Sequence, residues 1–104
     1  MSGGANPARG EAALSVGGEA LVLRPSFEAL VAAEEELGPL FALVERAAEG
    51  RLKVAEMAAL FWHCAGTRGE SVTRERIGAA IAETGLAGVA PVLKVLLGQI
   101  LQGR

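Results

Sequence analysis

The sequence predicts an α+β fold in which a short N-terminal β-hairpin precedes a bundle of four to five short helices. Two apolar-rich runs flank Gly17-Gly18, and glycine accepts the positive φ angles of a two-residue hairpin turn. Apolar residues then recur at helical spacing between capping residues and Gly or Pro stops. The length of 104 residues fits one small domain.

Composition separates a short N-terminal segment from the rest of the chain. Residues 1–10 consist mainly of Gly, Ala, Ser, Asn and Pro, so we expect a flexible arm there. Residues 11–104 are expected to form a single domain. Hydrophobic residues make up 51% of the chain and charged residues 21%, which is unlike the composition of disordered proteins.

The predicted hairpin has a definite register. With Gly17-Gly18 as the turn, Leu14 is expected opposite Leu21, and Ala12 opposite Leu23. These four side chains then share one face of the hairpin. Because an isolated hairpin is marginally stable in water, this face requires helices or further strands against it.

Two helices are expected after the hairpin. Ser26 is a candidate N-cap for the first, and Gly38-Pro39 ends it. The second extends from about Pro39 to Glu49, since proline suits the first turn of a helix. The apolar positions expected to face the core are Phe27, Leu30, Val31 and Leu37 in the first helix, and Leu40, Phe41, Leu43 and Val44 in the second.

Three further helices complete the prediction. The third extends from about Val54 to Ala65 and is followed by a polar loop over residues 66–72. Thr73 is the candidate N-cap of the fourth helix, which ends at Gly85. The last helix is expected to begin near Val89 or Pro91 and to end near Leu101.

The last helix is unusually apolar for a domain of this size. We therefore predict that five of its residues contribute to a partner or self-association surface as well as to the core. These residues are Leu93, Leu96, Leu97, Ile100 and Leu101. A central helix that its own chain surrounds would also be apolar on all sides, so the sequence leaves both interpretations open.

Glu34 lies among the apolar positions of the first helix, between Leu30 and Leu37. A buried carboxylate without a partner is costly, so we predict that Glu34 is partly buried and paired. Arg24 and Arg46 are possible partners, and the sequence does not distinguish them. A structural role is expected, because no second titrating group can be placed beside this carboxylate.

No pattern of catalytic or ligand-binding residues is found. His63 and Cys64 are adjacent on a helix, where neighbouring side chains point about 100° apart and do not face each other. The glycines fit neither a P-loop nor a dinucleotide motif. A single cysteine excludes an internal disulfide and a cysteine-based metal cluster. We predict a non-enzymatic protein without catalytic, cofactor-binding or metal-binding residues.

Charge and hydropathy argue against two classes of partner. The net charge of −2 and the pI near 5.4 disfavour nucleic-acid binding. No apolar run reaches the roughly 18 residues of a membrane span, and no signal peptide is recognised, so a cytoplasmic location is expected. A small DNA-binding regulator remains an alternative, since Arg74 and Arg76 open the fourth helix after a Gly-containing loop.

The order of these features resembles a known family. The hairpin leads into Leu21-Val22-Leu23-Arg24-Pro25-Ser26-Phe27-Glu28-Ala29-Leu30, followed by Glu34-Glu35-Glu36-Leu37-Gly38. Val54-Ala55-Glu56-Met57-Ala58-Ala59-Leu60-Phe61-Trp62 and Val72-Thr73-Arg74-Glu75 come later, before an apolar last helix. Over residues 11–101 this pattern is similar to the small tail proteins of gene transfer agents, which are grouped with phage tail-assembly chaperones and also labelled tail tube proteins. Relatives tend to have Ser or Thr where this chain has Lys53, before the third helix.

This resemblance implies a non-enzymatic role in building the tail of a phage-like particle. A chaperone of this kind is expected to hold the tape-measure protein soluble until tube subunits assemble around it. The alternative within the same family is a structural tail component that stays in the particle. The implied partners are the tape-measure protein, tail tube subunits or further copies of this chain.

Overall fold

A computed structural model describes residues 11–66 and 72–102 of the chain. Over these residues the predicted α+β fold is confirmed, with one antiparallel hairpin followed by five helices. The predicted arm and residues 67–71 of the predicted loop lie outside the described residues. The elements in chain order are β1 Ala12–Val16, β2 Glu19–Leu23, α1 Phe27–Leu37, α2 Leu40–Ala48, α3 Val54–Cys64, α4 Arg74–Thr84 and α5 Leu86–Gln102.

The hairpin has the predicted register, with Leu14 opposite Leu21 and Ala12 opposite Leu23. Gly17 and Gly18 have φ angles of 59° and 86°, which suit a two-residue turn and are rare for other residues. The inner face of β1 packs on α4 and α5, which supply the cover that an isolated hairpin lacks.

Two polar contacts fix the open end of the hairpin. Arg24 Nε donates to Glu11 Oε2 over 2.8 Å, so the carboxylate of the buried Glu11 is paired. The Arg24 backbone amide donates to the Cys64 carbonyl over 2.8 Å. The second bond ties the end of β2 to the last turn of α3.

Helix α3 is the centre of the core and packs against both α1 and α4. Leu60 and Phe61 are fully buried in it. Its start is stabilised without a Ser or Thr cap, because the Glu56 carboxylate accepts from the Lys53 backbone amide over 2.9 Å. Glu56 also binds the Arg46 guanidinium, which connects the start of α3 to the end of α2.

The predicted core face of α1 is wrong at Phe27 and Val31 and right at Leu37, which packs against the core. Phe27 and Val31 are 82% and 38% exposed, whereas Ala29 and Ala33 face the core. The buried positions of α1 therefore carry small side chains, and Phe27 and Val31 lie on the outer side. The same rotation leaves Glu34 exposed. At the helix start, the prediction for Ser26 is confirmed, since its hydroxyl accepts from the Ala29 amide over 3.2 Å.

The last helix begins earlier than the predicted start at Val89 or Pro91. The Val89 amide donates to the Gly85 carbonyl over 3.0 Å, so α5 begins at Leu86. Pro91 lies inside the helix, where it lacks the amide that would bond the Ala87 carbonyl. Gly85, with a φ of 86°, ends α4, and α5 continues at a bend of 120°.

Among the described helices, none alone has both the length and the apolar composition needed to cross a membrane. Only α4 and α5 taken together, across their bend, pass that criterion.

Candidate functional site

An apolar stripe runs along one side of α5 at the molecular surface. Its members recur every three or four residues, the spacing that puts side chains on one helix face. Leu86 and Leu101 at its two ends are 60% and 54% exposed. Leu93 and Leu97 between them are half-buried. We call this set the α5 stripe; it consists of Leu86, Ala90, Leu93, Leu97 and Leu101.

The structure separates the five residues predicted to form a partner surface. Leu96 is fully buried and, with Val89, anchors α5 in the core, so its proposed place on the surface is wrong. Leu101 is exposed, while Leu93, Leu97 and Ile100 are half-buried. Whether these residues bind a partner stays a prediction. Leu86 was missed because the predicted helix start, at Val89 or Pro91, lies beyond it, and Ala90 was not among the five predicted residues.

An apolar groove adjoins the first half of the α5 stripe. Its volume is about 170 Å³, and Leu86, Ala90 and Leu93 form one wall. A cavity of roughly 150 Å³ with apolar walls is known to accept a molecule as large as benzene. The groove therefore has room for an apolar side chain from another molecule. Its other wall comes from the end of α2, the α2–α3 connection and α3, through Ala47, Gly50, Leu52 and Met57.

Large apolar side chains are also exposed outside α5. Two of the three phenylalanines lie at the surface, with Phe27 82% and Phe41 69% exposed. Both begin or nearly begin a helix, and both had been assigned to the core by their helical spacing. They are control positions for any test of the α5 stripe, because they present apolar surface on other elements.

Glu34 is exposed, so the predicted burial of this carboxylate is wrong. Its partner is neither predicted arginine, since Arg24 binds Glu11 and Arg46 binds Glu56. Instead, Glu34 Oε2 accepts from the Leu40 backbone amide over 3.1 Å. Leu40 is the first residue of α2, whose N-cap position is a proline without a capping side chain. Glu34 therefore caps the next helix.

Replacing Glu34 with Ala is expected to lower the free energy of unfolding by about 0.5–1 kcal/mol, the usual cost of losing an N-terminal cap. Urea denaturation at neutral pH measures the effect. Glu35→Ala is the matched control, because Glu35 is the next exposed glutamate on the same helix. Equal stabilities for the two variants would contradict the capping role.

A polar cluster joins three helices near one end of α3. The Arg74 guanidinium of α4 binds both carboxylate oxygens of Glu36 in α1, over 2.5 and 2.6 Å. His63 Nε2 of α3 lies 2.8 Å from Glu36 Oε1. Arg74 also stacks on the Trp62 ring, 4.5 Å from its centroid. The sequence signal for this cluster was weak, because Glu36 and Arg74 are 38 residues apart.

The same cluster makes the free energy of unfolding depend on pH. Hydrogen bonds from Arg74, the larger effect, and from His63 lower the pKa of Glu36 from 4.5 to about 2. A carboxylate with a lowered pKa contributes stability that is present above pH 4.5 and is lost as the pH falls toward 2.

Between pH 4.5 and pH 2 the wild type is expected to lose more free energy of unfolding than Glu36→Gln. Urea denaturation at stepped pH measures the difference, with Glu35→Gln as control. Parallel curves for wild type and Glu36→Gln would refute it.

Cys64 lacks the environment of a nucleophile. It is buried to 1% exposure, and burial raises the pKa of its thiol to about 12. A thiolate is therefore scarce at neutral pH. Its neighbour His63 is directed to Glu36 rather than to the thiol. Within residues 11–66 and 72–102, no three His, Cys, Asp or Glu side chains come close enough to hold a metal ion.

The structure is a small α+β domain with an apolar stripe on its last helix. A comparison with protein-family models matches residues 9–103 to the family described as phage tail tube protein, GTA-gp10. The chain belongs to this family of phage and gene-transfer-agent tail proteins, which confirms the resemblance in the sequence. Membership implies a structural setting in the tail and association with other tail subunits. Searches of curated proteins and of solved structures returned no match.

Proposed function

We propose that this chain is a non-enzymatic tail-assembly chaperone that acts in the cytoplasm. It holds an apolar helical segment of the tape-measure protein until tube subunits assemble around that segment. The observation that carries the proposal is the α5 stripe, which leaves Leu86 and Leu101 more than half exposed on an ordered helix. Exposed apolar surface of this kind usually marks a protein contact.

The shape of the site favours a helical client. The α5 stripe is long and narrow, and its first half borders the groove of about 170 Å³. A client helix that lies along α5 can place one apolar side chain in the groove and others against Leu97 and Leu101. Such helix-in-groove binding uses side chains at the same three- and four-residue spacing on the partner.

A structural tail component is the second candidate, and the description of the matched family as tail tube protein favours it. In that case the α5 stripe binds neighbouring tail subunits permanently. Purified particles distinguish the two roles by mass spectrometry. A chaperone is expected to be absent from mature particles, whereas a structural component is retained in many copies.

The DNA-binding alternative has less support. Arg74 is engaged with Glu36 and Trp62, which leaves its guanidinium less available for phosphate. The net charge of −2 also disfavours a polyanion. Salt-sensitive DNA binding by the purified chain would revive this alternative.

Co-expression with the tape-measure protein tests the client site. Leu101→Glu is expected to remain folded, because Leu101 is 54% exposed, and to lose most of the co-purified tape-measure protein. Phe27→Glu is the matched control, with the same new charge on α1 at an 82% exposed position. Retention of the client by Leu101→Glu and its loss in Phe27→Glu would move the site to α1. Failure of the wild type to retain the client would refute the chaperone role.

A further inference from the structure

The outer edge of β2 carries main-chain groups that bond neither β1 nor any other described residue. In a hairpin with a two-residue turn, the residues flanking the turn exchange hydrogen bonds, and bonded pairs then alternate with non-bonded pairs. Val16 pairs with Glu19, and the alternation makes the pair of Leu14 and Leu21 a bonded pair as well. The amides and carbonyls of Ala20 and Val22 therefore point away from β1.

An independent contact confirms this direction. Arg24 is the next residue in the same alternation, and its amide leaves the hairpin to bond the Cys64 carbonyl. The end of α3 thus occupies the edge at Arg24. Within the part of the chain that the structure describes, no such bond reaches the main chain of Ala20 or Val22.

This edge lacks two of the features that prevent strand association, a proline and a β-bulge. β2 contains no proline, and its pairing with β1 is regular, without a bulge. Ala20 and Val22 put small, uncharged side chains on the face opposite the core. A cavity of about 450 Å³ lies along the same edge, with Ala20, Leu21 and Val22 on one side and the end of α3 on the other. Space for an extended chain is therefore present beside the open groups.

We infer that β2 pairs antiparallel with β2 of a second copy of this chain, which joins the two hairpins into one four-stranded sheet. The free groups of Ala20 and Val22 are symmetric about Leu21, so a twofold axis at Leu21 aligns each Ala20 with Val22 of the partner subunit. This register forms four hydrogen bonds. The same register puts Gly18 of the partner subunit opposite Arg24. The Arg24 amide already bonds the Cys64 carbonyl, so the pairing is confined to Ala20 and Val22.

The inferred interface differs from the α5 stripe and does not depend on the proposed function. Pairing over so few residues buries much less than the roughly 1,200–2,000 Å² of a stable interface. The dimer is therefore expected to be weak and to form as the protein concentration rises.

Amide hydrogen exchange of the wild-type chain tests the pairing directly. Between dilute and concentrated samples, the Ala20 and Val22 amides are expected to slow by roughly tenfold or more, while the outward Ala13 and Ser15 amides of β1 stay unchanged. Sedimentation equilibrium on the same samples measures the dimer. Concentration-independent exchange at Ala20 and Val22 would overturn the inference, as would a dimer that leaves both amides unprotected.

Two matched variants add a second readout. Ala20→Lys puts a charge at the open edge, and Ala13→Lys puts the same charge on the same sheet face in β1. Both positions are exposed, so both variants are expected to fold, which circular dichroism verifies. Ala20→Lys is expected to weaken dimerisation at least about tenfold, and Ala13→Lys to leave it unchanged. Equal dimerisation of the two variants would overturn the inference. So would protection of Ala20 and Val22 only after a different protein is added.

Discussion

Replacing Phe61 with Ala is expected to lower the free energy of unfolding by about 3–5 kcal/mol, the usual cost of removing a buried aromatic ring. Phe61 is fully buried in α3, the helix against which α1 and α4 pack. The cavity left by the ring would therefore weaken contacts to several elements together. Thermal or urea denaturation followed by circular dichroism measures the change.

Phe27→Ala is the matched control for this prediction. It removes the same ring from a position that is 82% exposed, so its effect is expected to stay within about 0.5 kcal/mol. Similar losses in the two variants would show that Phe27 packs against the core, contrary to the rotation of α1 described above.

Replacing Leu96 with Ala is expected to cost about 2–5 kcal/mol of unfolding free energy, as for other buried leucines. Leu96 is fully buried and is one of the residues that hold α5 on the core. Urea denaturation measures the loss. The α5 stripe exists only when α5 is folded. Weaker client binding by Leu96→Ala would therefore be a consequence of its lower stability.

Leu101→Ala separates stability from binding on the same helix. Leu101 is 54% exposed, so this variant is expected to keep its stability within about 0.5 kcal/mol. A large stability loss for Leu101→Ala would assign the end of α5 to the core. An unchanged stability for Leu96→Ala would contradict the packing of α5.

The features predicted correctly from the sequence depend on residues close together in the chain. Gly17-Gly18 determines the turn, and the alternation of apolar residues in the two strands then determines the register. Ser26 and Thr73 cap their helices through bonds to amides three residues ahead. Such bonds form within one turn of the chain, so the local sequence is sufficient to predict them.

Contacts between distant residues could not be predicted in the same way. The first helix has apolar residues on several sides, and only its packing on α3 selected Ala29 and Ala33 for the core. Glu36 and Arg74 meet because α1 and α4 both pack on α3. Their pairing depends on the positions of two helices, which no local pattern specifies.

The candidate site shows the same division within one helix. The sequence alone showed that α5 is unusually apolar, and it predicted surface positions at Leu93, Leu97 and Leu101 together with Leu96 and Ile100. The tertiary structure decided that Leu96 turns inward, that α5 begins at Leu86, and that a groove borders the stripe. The physical reason is that a uniformly apolar helix can bury any of its faces. In the folded chain, contacts with the hairpin, α2 and α4 determine which face of α5 is buried. The remaining face of α5 is the candidate surface.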